Sequence, residues 1–245
     1  MAYFSVAGLS LSKDGKELLH SVSFEAEKGT ITLIAGKNGS GKSLLLKAIK
    51  GLEKADSGTI TLDGKELKKT RERMDRIGLV FQDASLEIVG TTLRKDIAFG
   101  LENQMRDRAE IEMITERMLS DFSLKDKEML APSVLSGGEK RKLCIAGVIA
   151  MGTGLLLLDE PFANLDYPST RAVIKTLIQL KEDGYTVILV SHEAEKFLRH
   201  TDRTIILKDG RIEAEGDSED MLDSLRANEI YIPPKAAFGD LSWLQ

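Results

Sequence analysis

The most chemically specific stretch of the sequence is Gly36-Lys37-Asn38-Gly39-Ser40-Gly41-Lys42-Ser43, which follows the apolar run 31–35. Closely spaced glycines let backbone N–H groups converge on phosphate oxygens, and the start of a following helix adds a positive dipole end. A lysine and a hydroxyl at the end of such a loop suit the β- and γ-phosphates and Mg²⁺. The stretch therefore predicts a nucleotide phosphate loop, with Lys42 on the phosphates and Ser43 on the metal.

Two acidic residues follow a second apolar run, in Leu155-Leu156-Leu157-Leu158-Asp159-Glu160. A carboxylate at the end of a buried strand can hold Mg²⁺ directly or through water, which is the role expected of Asp159. Glu160 could polarise an attacking water as a general base. Alone, the pair would be read as a solvated strand end; together with the phosphate loop it predicts the second half of a nucleotide site.

The elements that must position these residues are visible as hydrophobic periodicity. Alternating patterns predict antiparallel strands near the N-terminus, at 22–26 and 58–64. Short apolar runs alternate with helical patterns, which predicts a parallel sheet covered on both faces. The strands expected in that sheet are 31–35, 155–159 and 186–191, and the helices are 43–50, capped by Gly51, and 168–182.

The remaining segments predict a helical lobe and a small C-terminal part. The stretch 83–134 is rich in charge and helix formers and has few strand signals. After His192 we expect a short helix, a hairpin at Asp209-Gly210 and a helix ending near Arg226.

Composition limits the classes of function. The formal net charge of −5 argues against a protein that coats duplex DNA, since such proteins carry a basic excess. The single cysteine, Cys144, cannot form an internal disulfide and is expected to be a small buried hydrophobe in a reducing cytoplasm. We expect neither a signal peptide nor a membrane span, so any membrane role requires a partner.

The segment Leu135-Ser136-Gly137-Gly138-Glu139 resembles the signature sequence of ABC ATPases, and it precedes the acidic strand as in that family. Gln82, in Val80-Phe81-Gln82-Asp83, is similar to the Q-loop glutamine. Asn164-Leu165-Asp166 resembles the D-loop, and Ser191-His192-Glu193 the segment with the switch histidine. The resemblance spans roughly residues 3–215 and implies an α/β fold. In this P-loop NTPase fold of the ABC type, a mostly parallel core sheet is joined by an N-terminal antiparallel β subdomain and a helical subdomain.

The resemblance also implies roles for the matched positions. Ser136, Gly137 and Gly138 would open a helix toward the γ-phosphate of a nucleotide held on the opposing subunit. His192 would contact the γ-phosphate and steady the water, and Gln82 would touch Mg²⁺ or the water. Asp166 would connect the two sites across a dimer.

Two positions depart from the pattern of the family. Glu139 stands where many members have glutamine, a tolerated variation. Lys13 stands where the family usually carries the aromatic residue that stacks on adenine; Tyr3 and Phe4 are the nearby substitutes, although both are expected to pack in the first strand.

The stretch Ile88 to Asn103 resembles the region after the Q-loop in energy-coupling-factor importers, which include cobalt, nickel and vitamin systems. This resemblance implies a peripheral ATPase on the cytoplasmic face of the membrane, with ATP and Mg²⁺ as cofactors. Its partners would be a second ABC ATPase subunit, identical or related, a transmembrane scaffold protein and a substrate-binding membrane protein. No nucleic acid partner is expected.

Other classes stay open at this point. The alternatives are an ATPase of another ABC transporter class and a soluble ABC ATPase that acts on nucleic acid or ribosomes. A long coiled coil, as in chromosome ATPases, is not indicated, because sustained heptads are lacking between Gly41 and Leu135. A non-hydrolysing cassette is disfavoured, because the sequence contains Lys42, Asp159, Glu160 and His192. We expect an ABC ATPase domain over 1–215, with a helical subdomain at about 83–140, and an extension over 216–245.

Overall fold

The computed structural model describes residues 2–244, so Met1 and Gln245, the outer limits of the two expected domains, lie outside the described residues. The strands are β1 (Phe4–Lys13), β2 (Lys16–Ala26), β3 (Ile31–Ala35), β4 (Ser57–Leu62), β5 (Lys65–Glu66), β6 (Ile77–Val80), β7 (Leu155–Asp159), β8 (Thr186–Ser191), β9 (Arg203–Lys208) and β10 (Arg211–Asp217). The α-helices are α1 (Lys42–Lys50), α2 (Thr70–Arg76), α3 (Leu93–Asn103), α4 (Arg108–Asp121), α5 (Gly137–Ala150), α6 (Tyr167–Glu182) and α7 (Leu222–Ala227).

The strands form two sheets. A four-stranded antiparallel sheet has the order β2-β1-β4-β5, and a six-stranded sheet has the order β10-β9-β3-β8-β7-β6. Within the larger sheet, neighbours from β9 to β6 run parallel and only β10 is antiparallel. The predicted α/β fold with a mostly parallel core sheet and an N-terminal antiparallel sheet is confirmed.

The core sheet is buried on both faces, as its continuous apolar strands require. Side chains along β7 alternate between two hydrophobic clusters: Leu155 and Leu157 pack toward α1 and the antiparallel sheet. Leu156 and Leu158 pack toward the opposite face, where α3 to α6 lie. This period of two follows from strand geometry and fixes the direction in which the strand end presents its acidic residues.

The helical region between β6 and β7 is built from α3, α4 and α5. Cys144 lies on α5 with 6% of its surface exposed, and burial raises the pKa of its thiol, so the expectation of a buried hydrophobe is confirmed. No helix within residues 2–244 is long and apolar enough to cross a membrane.

The segment after β8 differs from the single short helix that we expected. Two 3₁₀ turns, Ala194–Lys196 and Leu198–His200, are interrupted at Phe197, whose φ of −142° is incompatible with a helix. The ring of Phe197 is buried against Phe162, so packing of this side chain outweighs local helix propensity. The expected hairpin at Asp209-Gly210 joins β9 to β10, and the last helix, α7, ends one residue after Arg226.

Candidate nucleotide-binding site

The phosphate loop connects the buried end of β3 to the first turn of α1. Gly39 and Gly41 have φ values of +83° and +102°, which L side chains rarely adopt. A Cβ at Gly36 would lie 2.4 Å from the carbonyl oxygen of Leu207. The glycines are therefore required by backbone conformation and by close approach.

Lys42 is the first residue of α1 and is almost completely buried, with 6% exposure. Its Nζ donates hydrogen bonds to the carbonyl oxygens of Gly36, at 2.7 Å, and Lys37, at 3.0 Å. Burial lowers the pKa of Lys42, while the neighbouring carboxylates of Glu160 and Asp159 oppose that shift. The loop thus holds the ammonium group of Lys42 close to where the resemblance places the phosphates of a nucleotide.

Ser43 and Asp159 meet across the gap between α1 and β7. The Ser43 hydroxyl donates to Oδ1 of Asp159 at 2.9 Å. Burial raises the pKa of the Asp159 carboxyl, and the hydrogen bond from Ser43 opposes the rise. Ser43 and Asp159 line a cavity of about 610 Å³, and Gln82 lies on the wall of this cavity as well.

These three side chains offer only oxygen donors of the kind that Mg²⁺ prefers, so the donor set fits that ion. Within residues 2–244 there is no cluster of three or more His, Cys, Asp or Glu that could hold a metal. A magnesium ion at this place would therefore depend on phosphate and water oxygens to complete its coordination, as is usual for Mg²⁺ at nucleotide sites.

Glu160 and His192 hold each other at the ends of β7 and β8. Nδ1 of His192 lies 3.0 Å from Oε1 of Glu160, and the His192 N–H donates to Oε2 at 3.3 Å. Glu160 has a φ of +44°, in the left-handed region, and its own N–H donates to the carbonyl of Val190. A strained backbone that neighbouring strands hold in place is typical of residues with a functional orientation.

A cavity of about 390 Å³ above the phosphate loop brings most of the predicted site residues together. Its walls are Leu18, Asn38, Gly39, Gly41, Lys42, Ser43, Leu44, Gln82, Glu160 and His192. Lys13 does not line it: this residue lies next to the turn between β1 and β2, with its Nζ 3.3 Å from Glu53. The residue of the β1–β2 hairpin that lines this cavity is Leu18.

The signature residues lie outside that cavity and next to the Asp166 segment. Ser136 caps α5, and Gly137 and Gly138 form its first turn. A Cβ at Gly137 or Gly138 would come within 2.8 Å of Leu165 or Ser169, respectively. Asp166 in turn caps α6 by accepting from the N–H of Ser169 at 2.9 Å. The predicted site residues of one chain thus form two separate groups.

Glu139 has a structural role that the sequence analysis missed. It accepts from the N–H of Ser136 at 3.0 Å while the Ser136 hydroxyl accepts from the Glu139 N–H at 3.3 Å, a capping box. The serine and glutamate three residues apart are themselves the sequence signal for this motif. Glutamate and glutamine both serve here, which explains why either residue is compatible with the signature.

Arg141 is a second residue that the sequence analysis missed. Its guanidinium, 2% exposed, donates to the carbonyl oxygens of Phe81 and, at 2.6 Å, Gln82. Nearby, Glu87 accepts from the N–H of Phe81 at 2.7 Å, and burial raises the pKa of Glu87 to about 8. An arginine within the apolar stripe of α5 was the available signal, because such a side chain must find acceptors in the interior.

Fold and site define the class: a parallel sheet with a phosphate loop, an acidic strand end and a separate signature helix is a nucleotide-hydrolysing cassette. Residues 19–163 match the model of the family described as ABC transporter. The chain therefore belongs to the ABC transporter family and is an ATP-binding cassette, an ATPase.

Two ATP-binding proteins of energy-coupling factor transporters are similar in sequence to this chain over more than nine-tenths of its length. The energy-coupling factor transporter ATP-binding protein EcfA1 of Thermotoga maritima is 37% identical over 93% of this chain and 86% of its own length. The protein of the same name from Fusobacterium nucleatum is 33% identical over 94% and 88%. Among solved structures, cbiO1 from Clostridium perfringens superposes with a TM-score of 0.84 and 27% identity, covering 95% of this chain and 96% of that one. The chain is accordingly an ATPase subunit of an ABC transporter that resembles the energy-coupling-factor and cobalt types.

Proposed function

We propose that this chain is the ATP-hydrolysing motor of an energy-coupling-factor importer that drives uptake of a vitamin or a transition-metal ion. The observation that carries the proposal is the similarity to two EcfA1 proteins over more than nine-tenths of the chain. The solved cbiO1 chain, described as part of the ABC transporter complex cbiONQ, supports the same class.

In this proposal the chain works on the cytoplasmic face of the membrane as a peripheral subunit. It pairs with a second ABC ATPase subunit, identical or related, and docks on a transmembrane scaffold protein that is joined to a substrate-binding membrane protein. The region 83–140 serves as the helical subdomain and 216–245 as an extension of the ATPase domain. Nucleic acid is not a partner.

In this proposal, the residues around the cavity above the phosphate loop carry out hydrolysis. The loop N–H groups and Lys42 bind the phosphates of ATP, and the buried position of the ammonium group strengthens that attraction. Glu160 accepts the proton of the attacking water, and His192 fixes the orientation of the carboxylate through its two contacts. Ser43, Asp159 and Gln82 would hold Mg²⁺, and the bound ion would supply neutralisation of the phosphate charge.

The signature residues and Asp166, which lie apart from that cavity, support a site shared between two chains. Ser136 and the two signature glycines begin a helix, whose N–H groups and dipole suit an anion. Because they do not line the cavity above their own phosphate loop, we assign them to the γ-phosphate of a nucleotide on the opposing subunit. Asp166, beside them, links the two sites across the dimer.

The proposal is tested in cells of the source organism with the tagged chain at its native level. Detergent extracts should yield two kinds of multi-span membrane protein, a scaffold and a small substrate-binding protein, identified by mass spectrometry. Deletion of the gene should abolish uptake of the substrate. The wild-type chain should restore uptake, and the matched Glu160→Gln variant should not, although it joins the same complex. Recovery of ribosomes or nucleic acid in place of membrane proteins would contradict the proposal.

A further inference from the structure

The C-terminal tail docks on the segment that follows the switch histidine. Leu241 is 1% exposed, and its carbonyl oxygen accepts from the N–H of Arg199 at 3.1 Å. The Arg199 side chain donates to the carbonyl of Gly239 at 2.9 Å, and His200 Nε2 lies 2.7 Å from Oγ of Ser242. Residues 239–242 are thus held by hydrogen bonds and by an apolar anchor.

Trp243 in this tail touches two functional segments at once. Its N–H donates to the carbonyl of Lys196 at 3.1 Å, and Nζ of Lys196 lies 4.5 Å from the centre of the indole ring. The centre of the indole ring is also 5.3 Å from that of the Tyr167 ring. Lys196 lies four residues after His192, and Tyr167 directly follows Asp166. One side chain therefore joins the segment of His192 to the segment of Asp166.

The contact between the Trp243 ring and Lys196 is partly shielded from water, unlike an ordinary contact on the protein surface. Lys196 is 6% exposed, and its ammonium group also pairs with Glu193 at 2.5 Å, next to His192. A cation over an aromatic face gains strength when it is desolvated. The same two segments also meet through the rings of Phe162 and Phe197, whose centres are 5.5 Å apart.

We propose that Trp243 is a positioning residue for ATP hydrolysis, because it fixes the segment of His192 relative to the segment of Asp166. The inference rests on the proposed roles of those two residues. Trp243 does not line the cavity above the phosphate loop, so its loss leaves ATP binding intact. The hydrolytic step is sensitive to it, since small displacements of a catalytic group slow a reaction strongly.

The first test compares Trp243→Ala with Trp243→Phe, which keeps an aromatic ring between Lys196 and Tyr167. In Trp243→Ala we expect kcat to fall roughly three- to tenfold, while the Kd for ATP in non-hydrolysing conditions stays unchanged. Trp243→Phe should recover most of kcat. Tyr231→Ala is the matched control, because Tyr231 is an aromatic residue of the same terminal region with 62% exposure. Its kcat should equal that of the wild type.

A folded Trp243→Ala protein with wild-type kcat would overturn the inference. A second pattern would also overturn it: kcat and ATP binding fall equally, the melting temperature falls with them, and Trp243→Phe repairs neither. This pattern indicates a purely structural tail. If Trp243→Ala does not fold, Tyr167→Ala carries the test, since Tyr167 is 47% exposed. It should show the same selective loss of kcat, and an unchanged kcat would count against the inference.

Fluorescence provides an independent readout, because Trp243 is the only tryptophan of the chain. Tyr167→Ala should change the emission of Trp243 and increase its quenching by acrylamide. Identical emission and quenching in the two proteins would mean that the ring does not pack on Tyr167, which overturns the bridge.

His192→Ala separates this inference from the proposed function. If His192→Ala hydrolyses ATP at the wild-type rate, the proposed role of His192 fails and the bridge has no catalytic target. If His192→Ala loses turnover while Trp243→Ala keeps it, only the positioning role of Trp243 fails.

Discussion

The carboxylate of Glu160 is hydrogen-bonded to His192 through both of its oxygens, one to Nδ1 of the ring at 3.0 Å and the other to the backbone N–H at 3.3 Å. The two residues directly follow adjacent parallel strands, β7 and β8, so the sheet itself sets their separation. Nζ of Lys42 lies 3.7 Å from Oε1, the same oxygen that Nδ1 of His192 contacts. Glu160 is therefore held between the phosphate loop and the switch histidine.

Glu160→Gln should preserve binding of ATP and Mg²⁺ and lower turnover by about two orders of magnitude or more, the usual scale for loss of a general base. The amide is isosteric but cannot accept the proton of water. Steady-state phosphate release and the Kd of a fluorescent ATP analogue measure the two effects. Near-normal hydrolysis by this variant would remove Glu160 from the role of general base.

Lys13→Tyr should tighten ATP binding roughly two- to tenfold, because stacking on adenine contributes about 0.5–1.5 kcal/mol. The structure places Lys13 beside Glu53 and outside the phosphate cavity, so in the wild type the phosphates dominate binding and GTP should compete well with ATP. Lys13→Ala is the matched control, since it removes the ion pair without adding a ring. Equal ATP affinity in all three proteins would show that position 13 does not face the adenine.

Arg141→Met should lower the unfolding free energy by about 2–4 kcal/mol, because it removes the buried, charged donor of two partly buried hydrogen bonds to backbone carbonyls. It should also lower turnover, since one of these carbonyls belongs to Gln82. Denaturant unfolding and phosphate release measure the two effects. Lys140→Met, the adjacent change on the same helix, should alter stability by no more than about 0.5 kcal/mol. Equal stability losses in the two variants would contradict a specific role for Arg141.

Glu87→Gln should change the pH dependence of stability. Burial raises the pKa of Glu87 from the ordinary 4.5 to about 8, so between these values the native state keeps a proton that the unfolded state has lost. The unfolding free energy of the wild type therefore falls as pH rises through this window. The amide has no such proton, and the stability of Glu87→Gln relative to the wild type should rise from pH 4.5 to 8. A constant difference across that range would show that Glu87 is ionised in the native state.

The sequence predicts the parts of the site that are contiguous in the chain. The phosphate loop, the acidic strand end at Asp159 and the signature at Ser136 depend on local motifs whose strand or helix context is visible as periodicity. Arg141 escapes such reasoning because the carbonyls of Phe81 and Gln82, distant in the chain, reach it only through tertiary packing. Glu87 escapes it because no local motif marks its contact with the Phe81 N–H. The docking of Trp243 on Lys196 is likewise a tertiary contact without a sequence signal.

We expect ATP hydrolysis to require two chains, because the signature residues of each chain complete the phosphate site of the other. Lys42→Ala damages the phosphate loop, and Ser136→Arg blocks the signature by bulk. Melting curves control for the loss of the α5 cap, which costs about 1 kcal/mol. Homodimers of either variant have two defective sites, whereas a mixed dimer has one intact site.

The decisive measurement is the ATPase activity of mixed dimers, isolated through a different affinity tag on each variant. We expect activity in the mixed dimers, up to that of one wild-type site, and almost none in either homodimer. Isolated mixed dimers that are as inactive as the homodimers would contradict the claim that two chains complete each other's sites.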